Sequence, residues 1–179
     1  MRRNVRLYSV MFAIVALGVL AWGTGAATAH GGGKGTGGKQ TLKLVATELQ
    51  FEFIDVGATG PSLGDQIVFS ESLAKNRRDV GMSGVVCTVT HATPPYDVLT
   101  FHCVGTLSVR RGQITLQGLI EVQGEDDPGP FTVAITGGTG AYRGAGGTAV
   151  VREVRPGVSG YKLRLDLPKK HHSRGHHKR

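Results

Sequence analysis

The segment Tyr161-Lys162-Leu163-Arg164-Leu165-Asp166-Leu167 decides the fold. Aromatic or aliphatic side chains at every second position alternate with charged ones, and a period of two belongs to a β-strand with one face buried and the other in water. Working outward, the short link Pro156-Gly157-Val158 suits a hairpin, so the stretch 147–155 is expected to run antiparallel to 159–167. Six further stretches rich in β-branched and apolar residues precede these two, at 41–56, 65–72, 80–90, 98–109, 113–123 and 130–136, separated by Gly, Pro, Asp or Asn. Eight strands with no sequence left for covering helices most economically close on themselves, because closure removes exposed edges. The expected fold is all-β: an eight-stranded antiparallel up-and-down β-barrel over 41–168, with a β-sandwich as the structural alternative. The interior of such a barrel is about wide enough for side chains or one small ligand.

Composition agrees. The 179 residues include 28 glycines and 6% aromatics, which suits a turn-rich β protein better than a helical bundle. The formal charge of +8 invites a nucleic-acid reading until its distribution is followed. Arg2, Arg3, Arg6, Lys34 and Lys39 lie before the strands, and Lys169, Lys170, Arg174, Lys178 and Arg179 lie after them. Residues 40–168 are left with eleven basic side chains against thirteen acidic ones. The globular part is therefore not expected to bind nucleic acid.

The N-terminus has the layout of a secretory signal peptide: an arginine-rich start, an apolar run from Val10 to Trp22, and Ala27-Thr28-Ala29 before His30. That run is shorter than the roughly 20 residues needed to cross a bilayer, so removal of residues 1–29 and secretion to the extracellular side are expected. Residues 30–40 have little apolar surface to bury and read as a flexible Gly-rich leader. Residues 169–179 read as a disordered basic tail that suits contact with the cell wall or another polyanion. His171, His172, His176 and His177 in that tail could ligate a metal, but no carboxylate or thiolate completes a site, so no metal is expected.

The two cysteines sit in strands three and four. A hairpin turning about Pro95 sets Cys87 opposite Cys103, Val85 opposite Gly105 and Val89 opposite Phe101, and places Leu107 on the same face as the cysteines. In an exported protein this pairing points to one disulfide; a free catalytic thiol at Cys87 is the alternative. Glu71 shares a strand face with Ile67 and Phe69. If that face lines a cavity, burial makes Glu71 a usable general acid; the more ordinary outcome is a solvated carboxylate beside Lys75, Arg77 and Arg78. His102 falls on the opposite face and is expected to point outward. The run Gly137 to Gly147 is no phosphate loop, since no Lys-Ser/Thr pair follows and strands flank it. Gly137, Gly138 and Gly140 are instead expected to form a tight corner, with Tyr142 packed against it and Arg143 meeting a carboxylate.

Four ordered motifs carry a family resemblance: Leu63-Gly64-Asp65 followed by Phe69, Gly81 leading to Cys87, the run from Gly112 to Gly118, and Ala134-Ile135-Thr136 leading into Gly137 to Gly147. From about Gly64 to Leu167 the chain resembles the allene oxide cyclase-like barrels and the related dirigent proteins. The resemblance implies a calycin-type barrel, commonly a trimer, whose apolar cavity holds a reactive intermediate in one shape while it cyclises or couples, without a cofactor. It implies that Cys87 lines the cavity, that Glu71 stands where an asparagine holds a polar atom, and that Glu48 lies near, though displaced from, a first-strand glutamate. Phe69, Phe101 and Leu107 are expected to shape the cavity, Glu71 to supply the catalytic acid, and a small hydrophobic molecule to be the ligand. A non-enzymatic secreted carrier of hydrophobic ligands, or a wall-associated module, is the rival reading.

Overall fold

The computed structural model describes residues 38–57, 59–93, 98–123 and 128–169. The signal segment, residues 30–37 of the leader, and His171, His172, His176 and His177 lie outside the described residues.

Eight strands follow one another: β1 (Gly38–Ile54), β2 (Gln66–Lys75), β3 (Arg78–Thr93), β4 (Val98–Val109), β5 (Gly112–Gln123), β6 (Phe131–Gly138), β7 (Gly146–Arg155) and β8 (Val158–Leu167). Each pairs antiparallel with the next and β8 returns to β1, giving a closed barrel rather than two stacked sheets. Strand β1 begins inside the expected leader, because Gly38, Lys39 and Gln40 find ladder partners in Leu167, Asp166 and Leu165. The deciding segment behaves as its alternation requires: Tyr161, Leu163 and Leu165 are buried while Lys162, Arg164 and Asp166 are exposed.

All connections that join β2 to β3, β4 to β5 and β6 to β7 lie at the end of the barrel where β1 starts and β8 finishes. There the inward side chains fill the interior. Leu73, Leu107, Ile114, Leu163 and Leu165 are no more than 1% exposed and belong to one cluster. Burying each aliphatic side chain of this kind stabilises the fold by about 1.5–3 kcal/mol. The short 3₁₀ turn Gly140–Tyr142 seals this end, and Tyr142 is buried. A Cβ on Gly138 would stand 2.5 Å from the Gln113 carbonyl oxygen, and one on Gly140, whose φ is +59°, would collide with the Arg111 carbonyl. Gly137 and Gly138 depart from the expected corner: both lie within β6, paired with Thr115 and Ile114, and of the three glycines Gly140 alone is in the turn. Arg143 is exposed at this corner.

The opposite end is built differently. The β1–β8 ladder stops at Thr47 and Val158, and the β5–β6 ladder stops at Gln117 and Ala134. Beyond those points β1 continues against β2 to Ile54, and β5 continues against β4 to Gln123. Five strands thus rise above the other three, and the barrel opens sideways over β6, β7 and β8. A bulge between Glu48 and Gln50 takes Leu49 out of register, so the inward face of β1 passes from Glu48 to Phe51.

Candidate active site

A cavity of about 360 Å³ occupies the open end, within the range of small-molecule sites, roughly 300–1,000 Å³. Phe51 and Phe69 from β1 and β2, Phe101 from β4, and Ile120 and Val122 from β5 line it, with Val133, Val151 and Tyr161 contributed by β6, β7 and β8. Its surface is predominantly apolar, and no Lys or Arg is among the lining residues that are described.

The structure places Phe69, Cys87 and Phe101 on the cavity wall. Leu107 is a correction: it is fully buried in the filled end among Leu73, Ile114 and Leu163. It shares a strand face with Phe101, but six residues further along β4 that face has passed from the hollow into packed core. Cys87 and Cys103 are bonded, directly opposite one another in the β3–β4 ladder with Cα atoms 4.0 Å apart. Val85 faces Gly105 and Val89 faces Phe101, as expected, but by a different route: nearest the turn Thr93 pairs with Val98 and His91 with Thr100, one residue off a turn centred on Pro95, and a bulge between Val89 and His91 restores the expected register. The thiol alternative at Cys87 is thereby removed, and both sulfurs belong to the cavity lining. His102 lies on the outer face, where its Nε2 is 2.8 Å from Gln117 Nε2, so the amide donates and the imidazole nitrogen accepts.

Glu71 is not the solvated carboxylate of the more ordinary reading. It is 5% exposed and lines the cavity, because β2 is an interior wall at that height and Lys75, Arg77 and Arg78 lie beyond it at the closed end. Its Oε2 accepts a hydrogen bond from the Ser83 hydroxyl at 2.5 Å and another from the Tyr161 phenol at 2.9 Å. Ser83 sits directly opposite Glu71 on β3, while Tyr161 approaches from β8. Both donors bind the same oxygen, and Oε1 accepts no hydrogen bond from the described residues. Burial, reinforced by the charge and hydrogen bond of Glu71, pushes the Tyr161 phenol far above its ordinary value of 10.0, which keeps it a proton donor to the carboxyl.

On the other flank Glu48 of β1 lies directly opposite Glu71. Its carboxyl is raised above the ordinary 4.5, first by burial and then by the charges of Glu71 and Glu153. Glu153 and Ser159 also line the cavity. The arrangement joins a fixed carboxyl, a phenol held protonated and a second carboxyl with raised proton affinity at the edge of an apolar hollow. Such a set can orient a polar atom of a ligand and move a proton to or from it. Tyr161 and Ser83 are site residues that sequence reasoning missed. The signal was present for the tyrosine, since an inward phenol needs a partner for its hydroxyl.

The rim is held by the Leu63-Gly64-Asp65 motif. Asp65 is fully buried and accepts from the Val56 N–H at 2.8 Å, the Ser62 N–H at 2.7 Å and the Ser62 hydroxyl at 3.1 Å. Burial alone would raise its pKa, but these hydrogen bonds outweigh it and hold the carboxyl below the ordinary 3.8. Its backbone carbonyl also accepts from the Val89 N–H at 2.8 Å, tying the β1–β2 connection to β3. Among the described residues, no group of three or more His, Cys, Asp or Glu side chains is placed to hold a metal ion.

Residues 43–162 match the family model described as the allene oxide cyclase barrel like domain. Among solved structures, a pyocyanin demethylase is 32% identical with a TM-score of 0.60, covering 70% of this chain and 99% of its own. AbnU, an exo-specific intermolecular Diels-Alderase, is 16% identical with a TM-score of 0.53, covering 72% of this chain and 98% of its own. A pterocarpan synthase dirigent protein is 15% identical with a TM-score of 0.57, covering 75% of this chain and 88% of its own. These last two show a shared fold. No curated protein sequence matches. With its closed eight-stranded barrel and a match over most of its length, the chain belongs to the allene oxide cyclase-like barrel family.

Proposed function

We propose that this barrel binds a small, largely apolar molecule in the open-end cavity and guides its rearrangement, cyclisation or coupling by orientation and proton transfer, without a resident cofactor. The observation that carries this reading is the Glu71 carboxyl, clamped through one oxygen by Ser83 and Tyr161 at the edge of a predominantly apolar hollow. A pure carrier has no need of such a group, because burying a carboxyl is costly and an apolar ligand gains nothing from it. The apolar wall supplies orientation, which converts a random encounter into one reactive geometry. The pyocyanin demethylase supports a small-molecule substrate, as do the Diels-Alderase and the dirigent protein. Secretion, assembly as a trimer and wall contact through residues 169–179 complete the proposal; the arginine-rich, apolar start and the basic tail support export and wall contact.

The test begins with organic extraction of the purified protein and mass spectrometry of what co-purifies. The recovered compound, and pyocyanin as a second probe, are then incubated with the wild-type chain and with Glu71→Gln. Conversion by the wild type, with binding but at least about a hundredfold slower conversion by the variant, is expected for loss of a proton-transfer group. Binding by both with conversion by neither would leave the carrier reading in possession of the site.

A further inference from the structure

We infer that the closed pole of the barrel is a docking surface for a flexible, linear polyanion carrying repeated phosphate groups. The inference does not depend on what the cavity holds. The three connections at this pole and the strand ends beside them carry Lys75, Arg77, Arg78, Arg110, Arg111 and Arg143, all exposed. Asp79 is the acidic side chain among them, and its Oδ1 already accepts the Gly81 N–H at 2.9 Å. Lys39, Arg164 and Lys169 stand at the same pole, with Asp166 beside them.

The basic side chains form a connected arc. Arg110 donates from Nη2 to the Asp79 carbonyl at 3.3 Å, linking the β4–β5 turn to β3. The Ala141 N–H donates to the Arg111 carbonyl at 2.8 Å, linking that turn to the β6–β7 connection. Gly144 in turn lies against Pro168 where the chain leaves β8.

Two observations go beyond charge. Lys75, Asn76, Arg78, Val80 and Arg110 line a cleft of about 480 Å³ between two of the turns. A thin chain of phosphates can enter that concavity, whereas a flat bilayer cannot reach into it. The second is conformational. Asn76 has φ +52° and Arg77 has φ +62°, the two central positions of a type I′ hairpin. Asn is ordinary there, but the second position strongly favours Gly. An arginine held in left-handed backbone between Asn76 and Arg78, both of which line the cleft, costs stability, and such an outlier points to use. Nucleic acid bases would find no partner, because this pole exposes no aromatic side chain among the described residues and Tyr142 is buried.

The cavity mouth lies at the opposite end, with Glu48, Glu71 and Glu153 at the cavity and Glu52, Asp55 and Glu121 beside it, against Arg152 and Arg155. A polyanion is therefore attracted to one pole and repelled from the other, so docking leaves the cavity open.

The test is a titration of end-labelled inorganic polyphosphate with the full mature chain at several salt concentrations, followed by fluorescence anisotropy. Arg77→Gln/Arg78→Gln/Arg110→Gln should weaken binding about tenfold at low salt and reduce the slope of log affinity against log salt by about two to three, with the far-UV spectrum unchanged. Arg77→Gly guards against misfolding of the triple variant: it should weaken binding while raising Tm by about 3 °C, as relief of left-handed strain predicts. Replacing Lys170, Arg174, Lys178 and Arg179 by Gln should leave in place the part of the slope that depends on Arg77, Arg78 and Arg110. The inference is overturned if the triple variant binds like the wild type, if the tail replacement alone abolishes binding, or if anionic lipid vesicles bind at this pole and polyphosphate does not.

Discussion

Reducing the Cys87–Cys103 bond tests how the barrel is held together. The bond closes a loop with a sequence separation of 16, and in the chain-entropy model such a cross-link stabilises the native state by about 3 kcal/mol at 25 °C by restricting the unfolded chain. Spread over the roughly 130 residues of the barrel, whose unfolding entropy scales with length, this corresponds to a Tm lower by about 11 °C. Native contacts should contribute little to the change. The β3–β4 ladder continues on both sides of the bond, from Gly81↔Val109 to Thr93↔Val98, and two thiols still fill the space of the disulfide. The assay is urea unfolding of the wild-type chain with and without a phosphine reductant, followed by far-UV circular dichroism. A reductant leaves the side-chain volume intact, as Cys→Ala would not. The native spectrum should be the same in both arms, and the m-value should rise on reduction because a longer free chain becomes exposed. A loss below about 1 kcal/mol would refute the reasoning, as would a changed native spectrum, since either would mean that the bond acts on the folded barrel and not on the unfolded chain.

Tyr161→Phe removes one of the two donors to Glu71 Oε2 while keeping the ring in place, and should cost about 1.5–3 kcal/mol, the range for hydrogen bonds to charged groups; urea unfolding at neutral pH measures it, and no loss would mean that the 2.9 Å contact does not hold the carboxyl. Glu48→Gln should change the pH dependence of stability. A carboxyl whose folded pKa is raised binds more protons folded than unfolded, so stability is lost as pH rises from the ordinary 4.5 through the folded value. The variant lacks this loss: it should be more stable than the wild type near neutrality, with the advantage vanishing below the ordinary carboxylate range, and a constant difference across pH would contradict the placement of Glu48 beside Glu71 and Glu153.

The antiparallel strands were legible because alternation is local. Tyr161 to Leu167 carry their inward and outward pattern in adjacent residues; counting about Pro95 also set Cys87 opposite Cys103, although the chain reaches that pairing through a bulge between Val89 and His91 that counting did not include. Face is a property of parity, and parity can be read from a line of residues. Height along the barrel is not. Phe101 and Leu107 have the same parity on β4, yet one borders the hollow and the other is sealed in the filled end, because depth depends on where strands from distant parts of the chain stop. The same limit hid the fate of Glu71. Its parity with Ile67 and Phe69 was readable, but its burial required β1, β3 and β8 to stand around it, and its partner Tyr161 lies 90 residues away. Sequence by itself determined which strands pair and, between bulges such as the one at Leu49, which side chains point inward. Tertiary structure alone decided which inward side chains meet, since an early ending of the β1–β8 and β5–β6 ladders leaves one end of the barrel hollow while the other is packed solid.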